Sequence, residues 1–181
     1  MSGRGGRVVL VLGGARSGKS AYAERRALSC SDAPYYVATG RIWDDEMSDR
    51  VAKHRLRRGE EWTTIEEPHD LVGALGRVDD EGAVALVDCL TLWITNLMME
   101  AEDPAPRIGA LLDALAAARG TVLLVSNEVG MGIVPENAMA RRFRDLAGTL
   151  HQSIAAIADE VVLVVAGIPM TIKNDATPVG V

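Results

Sequence analysis

Val8-Val9-Leu10-Val11-Leu12-Gly13-Gly14-Ala15-Arg16-Ser17-Gly18-Lys19-Ser20 is the stretch whose reading decides the fold. Its apolar run from Val8 to Leu12 is continuous, as in a strand buried on both faces. The next eight residues, Gly13 to Ser20, fit G-x-x-x-x-G-K-[ST] at every fixed position. Ser20 to Leu28 then reads as a helix. A strand, a glycine loop and a helix in that order form an anion cradle. Glycines let backbone N–H groups close around phosphate oxygens with no Cβ in the way. The helix N-terminus adds its positive end. Lys19 supplies a mobile cation for the β and γ oxygens, and the Ser20 hydroxyl is a ligand for Mg²⁺. The competing reading is a glycine-rich turn that merely ends a strand.

Working outward, Tyr35–Thr39 (YYVAT) reads as a second strand. Asp44–Arg58 reads as a helix with Asp44, Asp45 and Glu46 in its first turn and Arg55, Arg57 and Arg58 in its last. That polarity matches the helix dipole at both ends. Trp62–Glu66 is extended, and His69–Arg77 is helical after Pro68. Ala83–Asp88 (AVALVD) and Thr121–Val125 (TVLLV) are further buried strands. Leu90–Glu100, Ile108–Arg119 and Glu136–Ala158 are helices, with Pro104 and Pro106 breaking the chain after the first. Val161–Ala166 is the last strand expected. The tail after Lys173 is polar and is expected to fray from residue 174 onward. Apolar strands alternating with helices predict a parallel α/β sheet. With the glycine loop, the expected fold is P-loop NTPase-type, RecA-like, with a mostly parallel sheet flanked by helices in one domain over residues 1–181.

Of the 181 residues, 48% are apolar and 24% charged, which excludes a disordered chain, a fibrous repeat and a disulfide-built miniprotein. The net charge of −6 makes nucleic acid a poor partner, so any anion site must be a local concentration of donors. Cys30 and Cys89 lie far apart, and two cysteines in a domain of this size point to a reducing compartment. The N-terminal apolar run is too short for a signal sequence and leads straight into the glycine loop. No stretch approaches the roughly 18 apolar residues of a membrane helix. The expectation is a cytoplasmic protein with no membrane span.

Two further residues invite chemistry. Asp88 ends the AVALVD strand, where α/β folds bind ligands, and could hold Mg²⁺ directly or through water. It could equally be a strand-end carboxylate or helix cap. His54 falls late in the Asp44–Arg58 helix, with Met47 and Val51 on one side and Arg50 and Arg58 four residues either way. It is either a packing or surface histidine or an imidazole held beside a polyphosphate by arginines. In the latter case the cationic neighbours would lower its pKa and keep it neutral and nucleophilic. His69 and His151 have no such company and read as structural or solvated. The loop Asn127–Pro135 leaves the fourth strand on the side of the glycine loop and is long enough to be functional.

These residues together resemble the bifunctional adenosylcobinamide kinase/adenosylcobinamide-phosphate guanylyltransferase family of cobalamin synthesis. The resemblance runs from Val8 to Lys173. It rests on GGARSGKS at Gly13–Ser20, YVATG at Tyr36–Gly40, DDEM at Asp44–Met47, HRLRRGEEW at His54–Trp62 and TIEEP at Thr64–Pro68. It continues in LVDCLTLWITNLM at Leu86–Met98, SNEVGMGIVPEN at Ser126–Asn137, FRDLAG at Phe143–Gly148 and ADEVVLVVAGIP at Ala158–Pro169. The phosphate loop alone is shared by many families, whereas the HRxRR…W segment together with SNEVGxGIVPE is far more specific.

The resemblance implies that His54 is the guanylylated histidine, with Lys19 the second catalytic residue, read from the phosphate loop. It implies a nucleotide site at Gly13, Gly14, Ala15, Arg16, Ser17, Gly18, Lys19 and Ser20. Ala38, Thr39 and Gly40 would help, with Arg55, Leu56, Arg57 and Arg58. By position, Glu66 and Asp88 would contact nucleotide or metal, with Ser20 and Asp88 as the Mg²⁺ ligands. ATP or GTP would be substrates alongside adenosylcobinamide and its phosphate, and the assembly a closed homotrimer. The chain departs from some relatives in carrying Lys53 where they have a second histidine, and its tail beyond Lys173 is unexplained by the family pattern. The loop Asn127–Asn137 is either the corrinoid-binding segment or a plain connection. A P-loop kinase of another small alcohol, without His54 chemistry, is the alternative reading. A GTP-dependent regulatory binder is a third, disfavoured because Ser126-Asn127-Glu128-Val129 stands where an Asn-Lys-x-Asp guanine motif would be.

Overall fold

Strand β1 (Arg7–Gly13) organises the molecule. Val8 and Leu10 point into one core layer and Val9 and Val11 into the other, all at 2% exposure or less, so both faces of the sheet must be covered. The computed structural model describes residues 5–41, 59–100 and 103–174. The expected helix 44–58 and the tail 175–181 lie outside those residues.

Along the chain follow α1 (Lys19–Leu28), β2 (Tyr35–Ala38), β3 (Thr63–Glu66), α2 (Leu71–Gly76), β4 (Val84–Asp88), α3 (Leu90–Met99) and α4 (Pro104–Ala117). The chain continues through β5 (Thr121–Asn127), α5 (Ala138–Ile157), β6 (Glu160–Val165) and β7 (Ile168–Asn174). The strands form one seven-stranded sheet in the order β3-β2-β4-β5-β1-β6-β7. Every neighbouring pair is parallel except β6–β7. This is the expected mostly parallel sheet flanked by helices.

One layer holds α2 to α5, packed through Leu71, Trp93, Ile94, Leu111, Leu115 and Leu150 onto the Val8–Leu10 face. The other face carries α1, which buries Ala23 and Ala27 against Val9, Val11 and Leu123. Small residues on α1 let its axis lie close to the sheet, which brings its N-terminus to the end of β1. Each large apolar side chain buried this way contributes about 1.5–3 kcal/mol. Glu160 joins the elements at one corner: its carboxylate accepts from Arg7 at 2.8 Å and from Arg26 at 3.1 Å, tying β6 to β1 and α1.

Two expectations are corrected. Helix α4 begins at Pro104 rather than Ile108: Asp103 caps it by accepting from the Ala105 N–H at 3.2 Å, and proline occupies the first turn. There the missing N–H would have had no partner in any case. The sheet also has a strand beyond Val165. Ala166 (φ 51°) and Gly167 (φ 80°) make a tight left-handed turn, and β7 returns antiparallel to β6. Pro169 is admissible there because β7 is an edge strand.

His151 on α5 is buried and meets the Ser126 hydroxyl of β5 at 2.7 Å. Burial pushes its pKa below the ordinary value of 6.5, and the Glu128 charge opposes that only in part. Below that ordinary value the unfolded chain takes up a proton that the folded imidazole resists. The contribution to stability is therefore lost as pH falls from near 6.5 toward the lowered value. Urea midpoints at about pH 5 and about pH 7.5 should drop more on acidification in the wild type than in His151→Gln. Equal drops would place the acid sensitivity elsewhere.

Candidate active site

The phosphate loop runs from the end of β1 into α1. Its turn is closed by the Ser17 N–H donating to the Gly14 carbonyl at 3.2 Å. Arg16 (φ 57°) and Gly18 (φ 93°) are left-handed, the backbone conformation from which anion-binding nests are built. Gly18 is the N-cap of α1, and no acidic residue stands in that helix's first turn to compete for an anion. Lys19 is 8% exposed, and its Nζ donates to the Gly14 carbonyl at 3.3 Å, so the ammonium lies over the loop rather than in solvent. The Ser17 hydroxyl is buried with no protein partner, a polar atom left for a ligand.

The loop is braced by two other segments. The Glu128 N–H, just past β5, donates to the Gly13 carbonyl at 3.0 Å. From the β6–β7 turn the Gly167 N–H donates to the Ser17 carbonyl at 2.8 Å.

Beside the loop lie the C-terminal ends of the parallel strands, the ligand edge of such sheets. Ala38 is in register with both Asp88 and Glu66, so these three residues form a row across β4, β2 and β3. Asp88 stands two strands from β1 and Glu66 four, which at the spacing of neighbouring strands is about 10 Å and about 19 Å. Thr39, fully buried, clamps the start of α3. Its N–H donates to the Asp88 carbonyl at 3.2 Å, and its hydroxyl accepts from the Cys89 N–H at 2.8 Å and donates to the Cys89 carbonyl at 2.7 Å. The Asp88 carboxylate accepts from the Tyr36 hydroxyl at 2.7 Å.

Gly13–Ser20, Ala38–Gly40, Asp88 and Glu66 are thus brought to one edge. Glu66 is too far along it to share a cation with Ser20. His54, Arg55, Leu56, Arg57 and Arg58 lie outside the described residues. Sequence reasoning gave no role to Tyr36 or Thr91 and took Asn127 only as the start of the candidate loop Asn127–Asn137. The Asn127 amide donates to the Thr91 hydroxyl at 2.9 Å, which is 3.0 Å from the buried Cys89 thiol, and burial pushes that thiol's pKa up. Tyr36, Thr91 and Asn127 all stand within the strings that carry the resemblance, YVATG, LVDCLTLWITNLM and SNEVGMGIVPEN.

Among the described residues no three His, Cys, Asp or Glu side chains cluster as a metal cage. Magnesium at a phosphate loop needs none, because it is held by one or two protein oxygens plus waters and phosphates. Hydroxyl and carboxylate oxygens are its ordinary donors, and the Ser20 and Asp88 pair fits that chemistry. An apolar cleft bounded by Val72, Leu75, Leu115 and Val122 lies at the opposite, N-terminal ends of β4 and β5 and has no part in this site. His69, the other histidine described, stands outside the loop, with its Nε2 3.1 Å from Glu100.

A glycine cradle with an invaginated lysine, on the ligand edge of a parallel sheet, defines a P-loop nucleotide-binding protein. Solved structures agree at the level of fold. A RadB recombinase superposes with a TM-score of 0.51 at 16% identity, covering 88% of this chain and 74% of that one. A prototypical ATPase of the type III secretion system of pathogenic bacteria gives 0.54 at 10% identity, over 90% and 51%. The particular family is narrower. Residues 9–172 match the family described as cobinamide kinase / cobinamide phosphate guanyltransferase, and the chain belongs to it. The bifunctional adenosylcobalamin biosynthesis protein CobP of Pseudomonas aeruginosa is 47% identical over 169 residues, 92% of this chain and 97% of that protein. CobU of Escherichia coli K12 is 42% identical over 181 residues, 92% and 99% of the two chains. Among the described residues no helix is long and apolar enough to cross a membrane.

Proposed function

We propose that this chain phosphorylates the aminopropanol hydroxyl of adenosylcobinamide with ATP or GTP, and then transfers GMP from GTP to the resulting phosphate. The observation that carries the reading is the braced phosphate loop with Lys19 folded over it, in a chain whose family match spans residues 9–172.

In the first reaction the substrate hydroxyl oxygen attacks the γ-phosphorus, and the bond to the β–γ bridging oxygen breaks. Lys19 and the loop amides offset charge on the transferring group and on the leaving nucleoside diphosphate. In the second, an imidazole nitrogen of His54 attacks the α-phosphorus of GTP. The leaving pyrophosphate stays on the same amides and the same ammonium. The phosphate of adenosylcobinamide phosphate then attacks the histidine-bound phosphorus, releasing neutral imidazole and forming adenosylcobinamide-GDP. Splitting the transfer means that the bulky acceptor need not be present while pyrophosphate leaves. Magnesium held by Ser20 and Asp88 would supply charge neutralisation between phosphate oxygens. Glu66, at the far end of the row, suits the nucleoside rather than the metal. Two unpaired cysteines suit the reducing cytoplasm, and a homotrimer is the assembly we assign.

We assign the acceptor to the loop 127–137. The Glu128 carboxylate accepts from the Gly130 N–H at 2.9 Å and the Met131 N–H at 3.1 Å, giving the loop a fixed start next to Gly13. Met131 (80% exposed) and Ile133 (98%), three and five residues on from Glu128, offer apolar surface suited to a large ring system. Ile133→Ser should raise KM for cobinamide about tenfold, near 1.4 kcal/mol, and leave the affinity for nucleotide unchanged. An unchanged KM would return the loop to a plain connection.

His54→Ala separates the two reactions. The γ-transfer needs no protein nucleophile, so kinase turnover should stay within about tenfold of wild type. Formation of adenosylcobinamide-GDP should fall to background. Loss of both activities in a folded variant would mean that His54 shapes the shared site, and the kinase of another alcohol would become the better reading. Retention of both would move the nucleophile elsewhere.

A further inference from the structure

We propose that Tyr36 is the positioning residue for Asp88: its phenol hydrogen bond holds the carboxylate in the orientation that takes the divalent cation. The inference rests on the reading of Asp88 as a cation-holding residue. Tyr36 and Leu86 are partners in the β2–β4 register, and Ala38 and Asp88 are partners two residues further on. Side chains two residues apart on a strand share a face, so Tyr36 is the diagonal neighbour of Asp88. Only a long side chain spans that diagonal, and the Tyr36 hydroxyl does so at 2.7 Å.

The phenol is itself fixed. Its ring is 3% exposed, and the Trp62 ring meets it edge-on at 5.8 Å and 84°. Trp62 lies immediately before β3, so the edge of the sheet closes over the tyrosine. Thr39, from the same stretch of chain, holds the Asp88 carbonyl and the Cys89 peptide group. The β2 segment therefore grips Asp88 twice, at its backbone through Thr39 and at its carboxylate through Tyr36. Outer groups that orient a ligating carboxylate typically change metal affinity by about 10–100-fold when removed. Phenylalanine at position 36 would fill the same core space and keep the contact with Trp62. The hydroxyl is thus separable from the packing.

The test is made on the full chain with a fluorescent β,γ-imido analogue of GTP, titrating Mg²⁺ and reading the concentration that gives half-maximal nucleotide binding. Tyr36→Phe should raise that concentration about tenfold. Its nucleotide affinity at saturating Mg²⁺ should stay within about twofold of wild type, and its melting temperature should hold. Trp62→Leu, which loosens the ring and leaves the hydroxyl, should shift the requirement in the same direction by less. Asp88→Asn should raise it at least as far as Tyr36→Phe. A normal Mg²⁺ requirement in Tyr36→Phe, beside a raised one in Asp88→Asn, would overturn the proposal and leave the cation role of Asp88 standing. A normal requirement in Asp88→Asn would remove that role, and the proposal with it.

Discussion

The backbone of the phosphate loop is pressed between two other segments, and the rest of the site depends on that close approach. A Cβ at Gly13 would lie 2.7 Å from the Val164 carbonyl, and one at Gly18 would lie 3.1 Å from the Gly167 Cα. The first contact is not tolerable against backbone, so Gly13 must be glycine for a reason that precedes any ligand; the second is tight and would require the Gly167 backbone to give way slightly. Gly18 has a second reason in its left-handed φ. The Glu128 and Gly167 N–H groups then occupy the Gly13 and Ser17 carbonyls. With the Gly13 and Ser17 carbonyls engaged by neighbouring segments, the loop backbone is held in place. A cradle held this way needs little reorganisation when an anion arrives, which is what makes preorganised donors effective in catalysis.

The sheet converts that local constraint into a linear site. Strand spacing sets the distances: the phosphate loop at β1, Asp88 two strands away and Glu66 four strands away, with Ala38 between the two carboxylates. A nucleotide laid along this edge would place its polyphosphate at the loop and its nucleoside toward β3. In the proposed chemistry the difference between the two reactions is which phosphorus is attacked and by what. The groups that stabilise the departing phosphates are the same in both. A single cradle can then serve a kinase and a nucleotidyltransferase, because each needs the same charges on the same oxygens.

The central strands and the loop were legible in the sequence because both are dictated locally. Continuous apolar runs of five or six residues bounded by turn residues suit strands covered on two sides, and the spacing of the glycines and Lys19 admits few alternatives. The missed features are set by contacts distant along the chain. Strand β7 depends on a two-residue left-handed turn at Ala166–Gly167, and Pro169 argues against a strand unless its position at the sheet edge is known. Pro104 and Pro106 look like breakers until Asp103 is seen capping a helix that starts with them. Tyr36 reads as one more apolar strand residue. Its hydroxyl acquires a role only through the register that brings Asp88 alongside, and Thr91 and Asn127 meet only because α3 and β5 converge at the same edge.

The claim that one cradle serves both transfers is tested most directly by measuring the two activities in parallel on Lys19→Ala, with the folded state checked by its melting temperature. In the proposed chemistry Lys19 has no part in attack by either nucleophile and serves only the phosphates. Both rates should fall together, by the equivalent of roughly 3–4 kcal/mol, as when a preorganised donor is removed from developing charge. Survival of either activity near the wild-type rate would contradict the account, because it would require a second site for phosphate stabilisation.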